Sequence, residues 1–389
     1  MQAFEGIRVL DFTHVLAGPF CTYQLAVMGA EVIKIESPVR PDMMRGEGAS
    51  AGLANEARGS QFLAQGANKK SLLLDINSDA GKALVLKLVK TADVLVENFR
   101  GGVMEKLGLD YTALKAVNPR LIYCSMSGFG QTGPKGNHPA YDNVIQAFSG
   151  LMAHTGSAAT APVRVGPPVL DYGTGAQAAF AIASALFQRT HSDCGQYIDV
   201  AMLDAAIMLM STSVVDTQVT QAAPTPPGNS SLSHPGYGCF DASRGQIMIG
   251  AFTSKQHADL WQVLGREDIA SEVAGLNTNA LSGRLDADRK VLADLLLTQT
   301  AQHWEDTLNE AGVPAARVRK LDEALAHPQV ASRRVLQQAV AYSDEDHSLK
   351  TPVAAFHYEH DGPAVTHHAP PGGQHTDCLL YTSPSPRDS

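Results

Sequence analysis

Residues 165–190 read V-G-P-P-V-L-D-Y-G-T-G-A-Q-A-A-F-A-I-A-S-A-L-F-Q-R-T, and they place one carboxylate, Asp171, at an expected strand-to-helix junction. Pro167 and Pro168 stiffen the approach, while Gly173 and Gly175 let the atoms of a ligand come close to the backbone. A carboxylate so placed could attack an electrophilic carbonyl carbon. It could equally cap the small-residue helix that follows, its oxygen accepting from an amide one turn in. The stretch alone leaves both readings open.

Other chemistry-bearing patterns are weaker. Gly128, Gly130 and Gly133 spell G-x-G-x-x-G after an expected strand, but Pro134, Gly136 and Pro139 follow, which denies the motif its phosphate-facing helix. The segment is read as a structured loop that covers a substrate. Glu36 closes the second expected strand, where a dinucleotide-binding fold would hold a ribose. The loop T-H-V-L-A-G-P after the first strand has one glycine rather than three, so NAD is disfavoured. Lys69, Lys70, Arg100 and Lys106 fall near strand edges, where they either meet the phosphates of a bulky anion or are solvated surface charges. The sequence lacks a P-loop, a G-x-S-x-G elbow and an H-E-x-x-H helix, so kinase, hydrolase and metalloprotease chemistries have no local support. His367 and His368 lack carboxylate neighbours, and no metal is expected. Cys21, Cys124, Cys194, Cys239 and Cys378 show no C-x-x-C spacing and are expected as reduced, mostly buried thiols.

With 39 acidic and 30 basic residues, the net charge of −9 argues against partners such as nucleic acid or a membrane surface. The first residues lack the basic-then-apolar order of a signal peptide and no apolar run reaches the length of a membrane span, so a cytoplasmic location is expected.

The elements that must position these residues follow from periodicity. Strands are expected at 7–12, 31–35, 71–76, 94–99 and 121–126, with helices at 20–28 and 78–91 between them. Such alternation means an α/β fold with a Rossmann-like, largely parallel sheet, whose ligand site lies at the carboxyl ends of the strands. A helix at 141–148, the Asp171 stretch, a strand at 197–200 and an apolar, Met-containing segment at 201–221 follow. The proline-rich piece 222–233 reads as a linker. Beyond it, a hairpin of 237–241 and 246–252 and helices at 255–264 and 287–311 form a smaller α+β domain. The expected division is a large α/β domain at 1–200, a long helix and linker at 201–232, the small domain at 233–318 and a return to the large domain at 319–377. In that return a helix is expected at 321–330, and an extended piece at 353–357 could join the first domain. The tail 378–389 is Ser/Pro-rich and is read as disordered or foreign to the native sequence.

Taken in order, G-I-R-V-L-D-F-T with A-G-P, G-A-E-V-I-K-I-E, N-K-K-S-L-L-L-D, A-D-V-L-V-E-N-F-R, N-P-R-L-I-Y-C-S, G-F-G-Q-T-G-P and P-A-Y-D-N-V-I-Q-A-F-S-G resemble the class III CoA-transferases. This CaiB/BaiF-type family contains the formyl-CoA and carnitine CoA-transferases and also the α-methylacyl-CoA racemases. The resemblance is nearly continuous from Gly6 to about Ala206. It implies that Asp171 is the catalytic nucleophile and that coenzyme A is a substrate, with no tightly bound cofactor. Tyr141 stands where the racemases resemble one another in a histidine, and Tyr141 with Asp142 resembles the transferase substrate site instead. A tyrosine of ordinary pKa is a poor base at neutral pH.

The resemblance implies CoA contacts for Lys70, Asn98, Phe99, Arg100 and Met104. Leu16, at the substrate site, stands where the formyl-CoA enzymes have glutamine, and Ser37 where they have arginine. The glycine-rich loop of their small domain has no counterpart, so formyl-CoA/oxalate specificity is not implied. The family also implies an interlocked homodimer and a further carboxyl-terminal helix, which here is expected to be missing. A racemase and a non-catalytic CoA-binding homologue are the alternatives.

Overall fold

The computed structural model describes residues 1–339 and 349–381. They form two compact units, the first comprising Met1–Leu151, Arg164–Thr220 and the chain from Gln329 onward, the second Met152–Val163 and Gln221–Pro328.

The first unit is built on a six-stranded sheet of β1 (Arg8–Asp11), β2 (Glu31–Glu36), β3 (Lys69–Leu73), β4 (Val94–Glu97), β5 (Ile122–Ser127) and β6 (Tyr197–Ala201), in the order β3-β2-β1-β4-β5-β6. Every pairing is parallel. Alternation along the strands feeds two cores. Val9, Val32, Val94, Val96 and Ile122 face helices Ala17–Val27 and Val169–Ser192, whereas Leu10, Ile33, Leu72, Leu95 and Tyr123 face helix Asp79–Val89 and its neighbours. The strands and helices expected between residues 7 and 126 are present, with ends moved by up to three residues.

Helix Val169–Ser192 crosses helix Ala17–Val27 at Gly175, where a Cβ would lie 2.5 Å from the Ala17 carbonyl oxygen. Only glycine admits that approach, and it brings the start of one helix against the start of the other. The apolar segment after β6 is two helices, Met202–Leu209 and Ser211–Thr220.

In the second unit β7 (Tyr237–Asp241), β8 (Gln246–Gly250) and β9 (Ala315–Arg317) form an antiparallel sheet over a core that includes Ile247, Ile249, Trp261 and Trp304. The helix expected at 287–311 is two, Leu285–Leu296 and Ala301–Glu310. Thr300 starts the second by accepting from the His303 amide at 3.2 Å, a local bond that competes with helix continuation.

Three expectations in the last part of the chain are corrected. Residues 321–330 hold two short helices, Leu321–Leu325 and Pro328–Ser332. No strand forms at 353–357; the strand lies just before it, β11 (Lys350–Pro352), and pairs antiparallel with β10 (Leu336–Gln338), both within the first unit. The tail is not aperiodic from Cys378: helix Thr376–Tyr381 takes in its first residues, and the Thr376 hydroxyl accepts from the Leu73 amide on the β3 edge at 3.3 Å. The rest of the tail, from residue 382, lies outside the described residues. Of the cysteines, Cys21 and Cys124 are buried, Cys239 half-buried, and Cys194 and Cys378 exposed. Among the described residues no helix is long and apolar enough to cross a membrane, and no cluster of three His, Cys, Asp or Glu could hold a metal.

Candidate active site

A cavity of about 320 Å³ opens in the first unit, lined by His14–Ala17 after β1, Asn98–Gly101 after β4, the end of β5 with the loop that follows it, and the start of the Asp171 helix. The strand order turns between β1 and β4, and open parallel sheets bind ligands at such a switch point. The loop carrying Gly128, Gly130 and Gly133 runs on without a helix until Asp142–Ser149, and Gly128 and Gly136 line the cavity. It is therefore a wall of this cavity and not a phosphate cradle.

Leu16, Asn98, Phe99, Arg100, Tyr141 and Asp171 all lie on the cavity. Lys70, Met104 and Asp142 do not. Lys70 points to the sheet surface and pairs with Glu31. Met104 is buried in the core beneath β4. Asn98 spends both side-chain polar atoms on His14, accepting from its amide and donating to its carbonyl at 2.8 Å each. It thus ties the loop after β4 to the loop after β1. Lys69 does start β3, but it is neither solvated nor on the cavity: it is buried and paired with Asp11 at 2.9 Å. Glu36 is likewise buried, gripped by Arg45 at 2.6 and 2.8 Å.

Asp142 takes the capping role that Asp171 could have had. No strand leads into the helix. Its flanking residue, Pro168, has no side-chain acceptor, and Asp171 is the third helical residue. The cap comes from Asp142, whose Oδ2 accepts from the amides of Leu170 at 2.8 Å and Asp171 at 3.3 Å. Gln146 holds the other oxygen of Asp142 and accepts from the Val165 amide at 2.9 Å. The Asp171 carboxylate is thereby released from capping and left facing the cavity.

Burial, and then the Asp142 charge, raise the Asp171 pKa to about 7, against a lowering contribution from the Ala17 amide. That amide belongs to the first turn of helix Ala17–Val27, whose N-cap residue, Leu16, has no side-chain acceptor. First-turn amides beside a carboxylate can take up negative charge that develops on a carbonyl oxygen.

The chain matches the family described as CoA-transferase family III over residues 4–376. It belongs to that family. An acetyl-CoA:oxalate CoA-transferase of Acetobacter aceti is 38% identical over 337 residues, which are 86% of this chain and 85% of that protein. A succinyl-CoA:mesaconate CoA-transferase of Haloarcula hispanica is 36% identical over 341 residues, 86% of this chain and 85% of its own. A CaiB/BaiF family protein from Brucella suis has the same fold, with a TM-score of 0.85 at 28% identity over 97% of this chain and 98% of that one.

This class III CoA-transferase therefore acts on CoA thioesters. His14, Ser127, His138 and Thr174 also line its cavity. Their place is set by which loop follows which strand, and no local pattern marks them as site residues.

Proposed function

We propose that this enzyme moves CoA from a short acyl-CoA to a small dicarboxylic acid through covalent intermediates on Asp171. The supporting observation is that Asp171 is the one carboxylate lining the cavity among the described residues. In the proposed sequence an Asp171 oxygen attacks the thioester carbonyl carbon, the C–S bond breaks, and CoA thiolate leaves a mixed anhydride. The thiolate then attacks the aspartyl carbonyl carbon, releasing the donor acid and leaving an aspartyl-CoA thioester. The acceptor carboxylate attacks that thioester and forms a second anhydride. The returning thiolate attacks its acceptor carbonyl, which gives the new acyl-CoA and frees Asp171. The substrate class rests on relatives named for oxalate, mesaconate and glutarate.

Incubation with succinyl-CoA or acetyl-CoA followed by hydroxylamine or borohydride is expected to leave a modification at Asp171. Solvent deuterium entering the α-carbon of a 2-methylacyl-CoA, with no acceptor acid present, would instead establish the racemase.

Attack needs ionised Asp171, so kcat/KM is expected to fall as pH drops below about 7. Asp142→Asn keeps an acceptor for the helix amides but removes the neighbouring charge. Its acid limb should move to lower pH, and a pH–rate profile with an unmoved limb would remove Asp142 from the electrostatics of the site.

We infer a homodimer as well. Phe180 and Phe187, 69% and 70% exposed on the Asp171 helix, and Met208, Leu209 and Val219 on the helices after β6 offer apolar surface for a second chain. Sedimentation equilibrium should return the mass of two chains, and a fully active monomer would contradict this.

A further inference from the structure

Val15, on the cavity wall, has φ of 71°, a left-handed backbone that a β-branched residue adopts only when its surroundings impose it. The surroundings are the side chains of nearby Asp11 and of the more distant Lys34, Asp42 and Asn98. Asp11 Oδ1 accepts from the Thr13 amide at 2.9 Å and from its hydroxyl at 2.6 Å. Lys34 Nζ donates to the Thr13 carbonyl at 2.7 Å. Asn98 binds both backbone groups of His14, and Asp42 Oδ1 accepts from the Val15 amide at 3.2 Å. Every backbone polar group from the Thr13 amide to the Val15 amide is thus held by a side chain.

Asp42 is itself fixed. Its other oxygen pairs with Lys34 at 3.1 Å, both side chains being almost wholly buried, and its amide donates to Glu36. Two residues beyond Val15, helix Ala17–Val27 begins, its Ala17 amide directed at Asp171 and its N-cap residue, Leu16, offering no side-chain acceptor. A buried ion pair is a poor source of net stability, because the cost of desolvating both charges offsets most of their attraction. This one ends on the amide of the strained residue that sets where the helix starts.

We propose that Asp42, held by Lys34, is a positioning residue: it fixes Val15 in the left-handed conformation that aims the first amides of helix Ala17–Val27 at the reacting carbonyl. The inference rests on Asp171 as nucleophile. Glycine adopts positive φ without the Cβ penalty, so it should relieve the dependence on Asp42.

The test is a double-mutant cycle on the full-length enzyme with acetyl-CoA and oxalate, or succinyl-CoA and mesaconate, as probes. Asp42→Ala should lower kcat on the order of 10- to 100-fold through misplacement of the amides, with KM changed much less. In a Val15→Gly background the same change should cost clearly less. Equal losses in both backgrounds, or a folded Asp42→Ala enzyme with wild-type kcat, overturn the proposal. Should Asp42→Ala not fold, Asp42→Leu, which fills the same space but offers the Val15 amide no acceptor, takes its place in the same cycle. Mass spectrometry of the wild-type enzyme during turnover separates the two claims. Turnover without an adduct at Asp171 sinks the nucleophile, while the cycle in kcat still decides Asp42.

Discussion

Asp171→Asn is expected to lower kcat by at least about 10⁴-fold, the scale seen when a covalent nucleophile is removed, and to leave the fold intact. The carboxamide matches the carboxylate in size, but its oxygen is a far weaker nucleophile, and neither an anhydride nor an aspartyl thioester can form. The fold should survive because Asp142, and not Asp171, caps the helix. Stability should move the other way. The folded pKa of about 7 lies above the unfolded value of about 3.9, so between these pH values the folded chain keeps a proton that the unfolded chain has lost. The wild-type charge thus costs stability progressively as pH rises through that window. Urea midpoints of the variant and wild type should agree near pH 4 and diverge in favour of Asp171→Asn by pH 8, with about 4 again being the unfolded carboxyl range. A variant that turns over at the wild-type rate, or that is modified at another residue, would remove Asp171 from the chemistry.

The strands were legible because both faces of a parallel sheet must be apolar, and Val9 with Leu10 or Val94 with Leu95 feed opposite cores from adjacent positions. The candidate nucleophile was legible by residue type and setting. What released it was not: Asp142 reaches the start of the helix from 29 residues away, and no local pattern connects them. The same holds for the loop at Thr13–Val15, whose shape depends on Lys34, Asp42 and Asn98. Local periodicity does carry one overlooked signal. Lys69 and Lys70 are neighbours on β3, so their side chains must point to opposite faces, and a helix-covered sheet forces one of them inward. Placing both on the outside, whether as phosphate contacts or as solvated charges, ignored that constraint. The identity of the buried partner, Asp11, lies 58 residues earlier and could not be read from the chain.

That pair of lysines gives the second large effect. Lys69→Met should destabilise the enzyme by about 3–5 kcal/mol, the usual cost of breaking a buried ion pair by removing one partner. Lys70→Met should cost about 0–1 kcal/mol, because its partner Glu31 is reached on the sheet surface. The Lys69 side chain is 1% exposed, and its ammonium donates to Asp11 Oδ2 at 2.9 Å, the Pro19 carbonyl at 2.9 Å and the Thr22 hydroxyl at 2.7 Å. Burial alone would raise the Asp11 pKa, but Lys69 and Lys34 outweigh it and hold the carboxyl well below its ordinary range. Asp11 therefore stabilises the fold above its unfolded pKa of about 3.9, and that contribution drains away as pH falls below it. Without Lys69 the Asp11 charge keeps only Lys34 nearby, so the variant should lose stability at neutral pH and show a shallower further loss in acid. Adding Asp11→Asn to Lys69→Met removes the stranded charge and should recover part of the deficit, since a neutral amide is far cheaper to bury than a lone carboxylate. Urea unfolding of the single and double variants at neutral and acid pH reads all of these terms. Equal costs for Lys69→Met and Lys70→Met would mean that the buried pair contributes no more than a surface one.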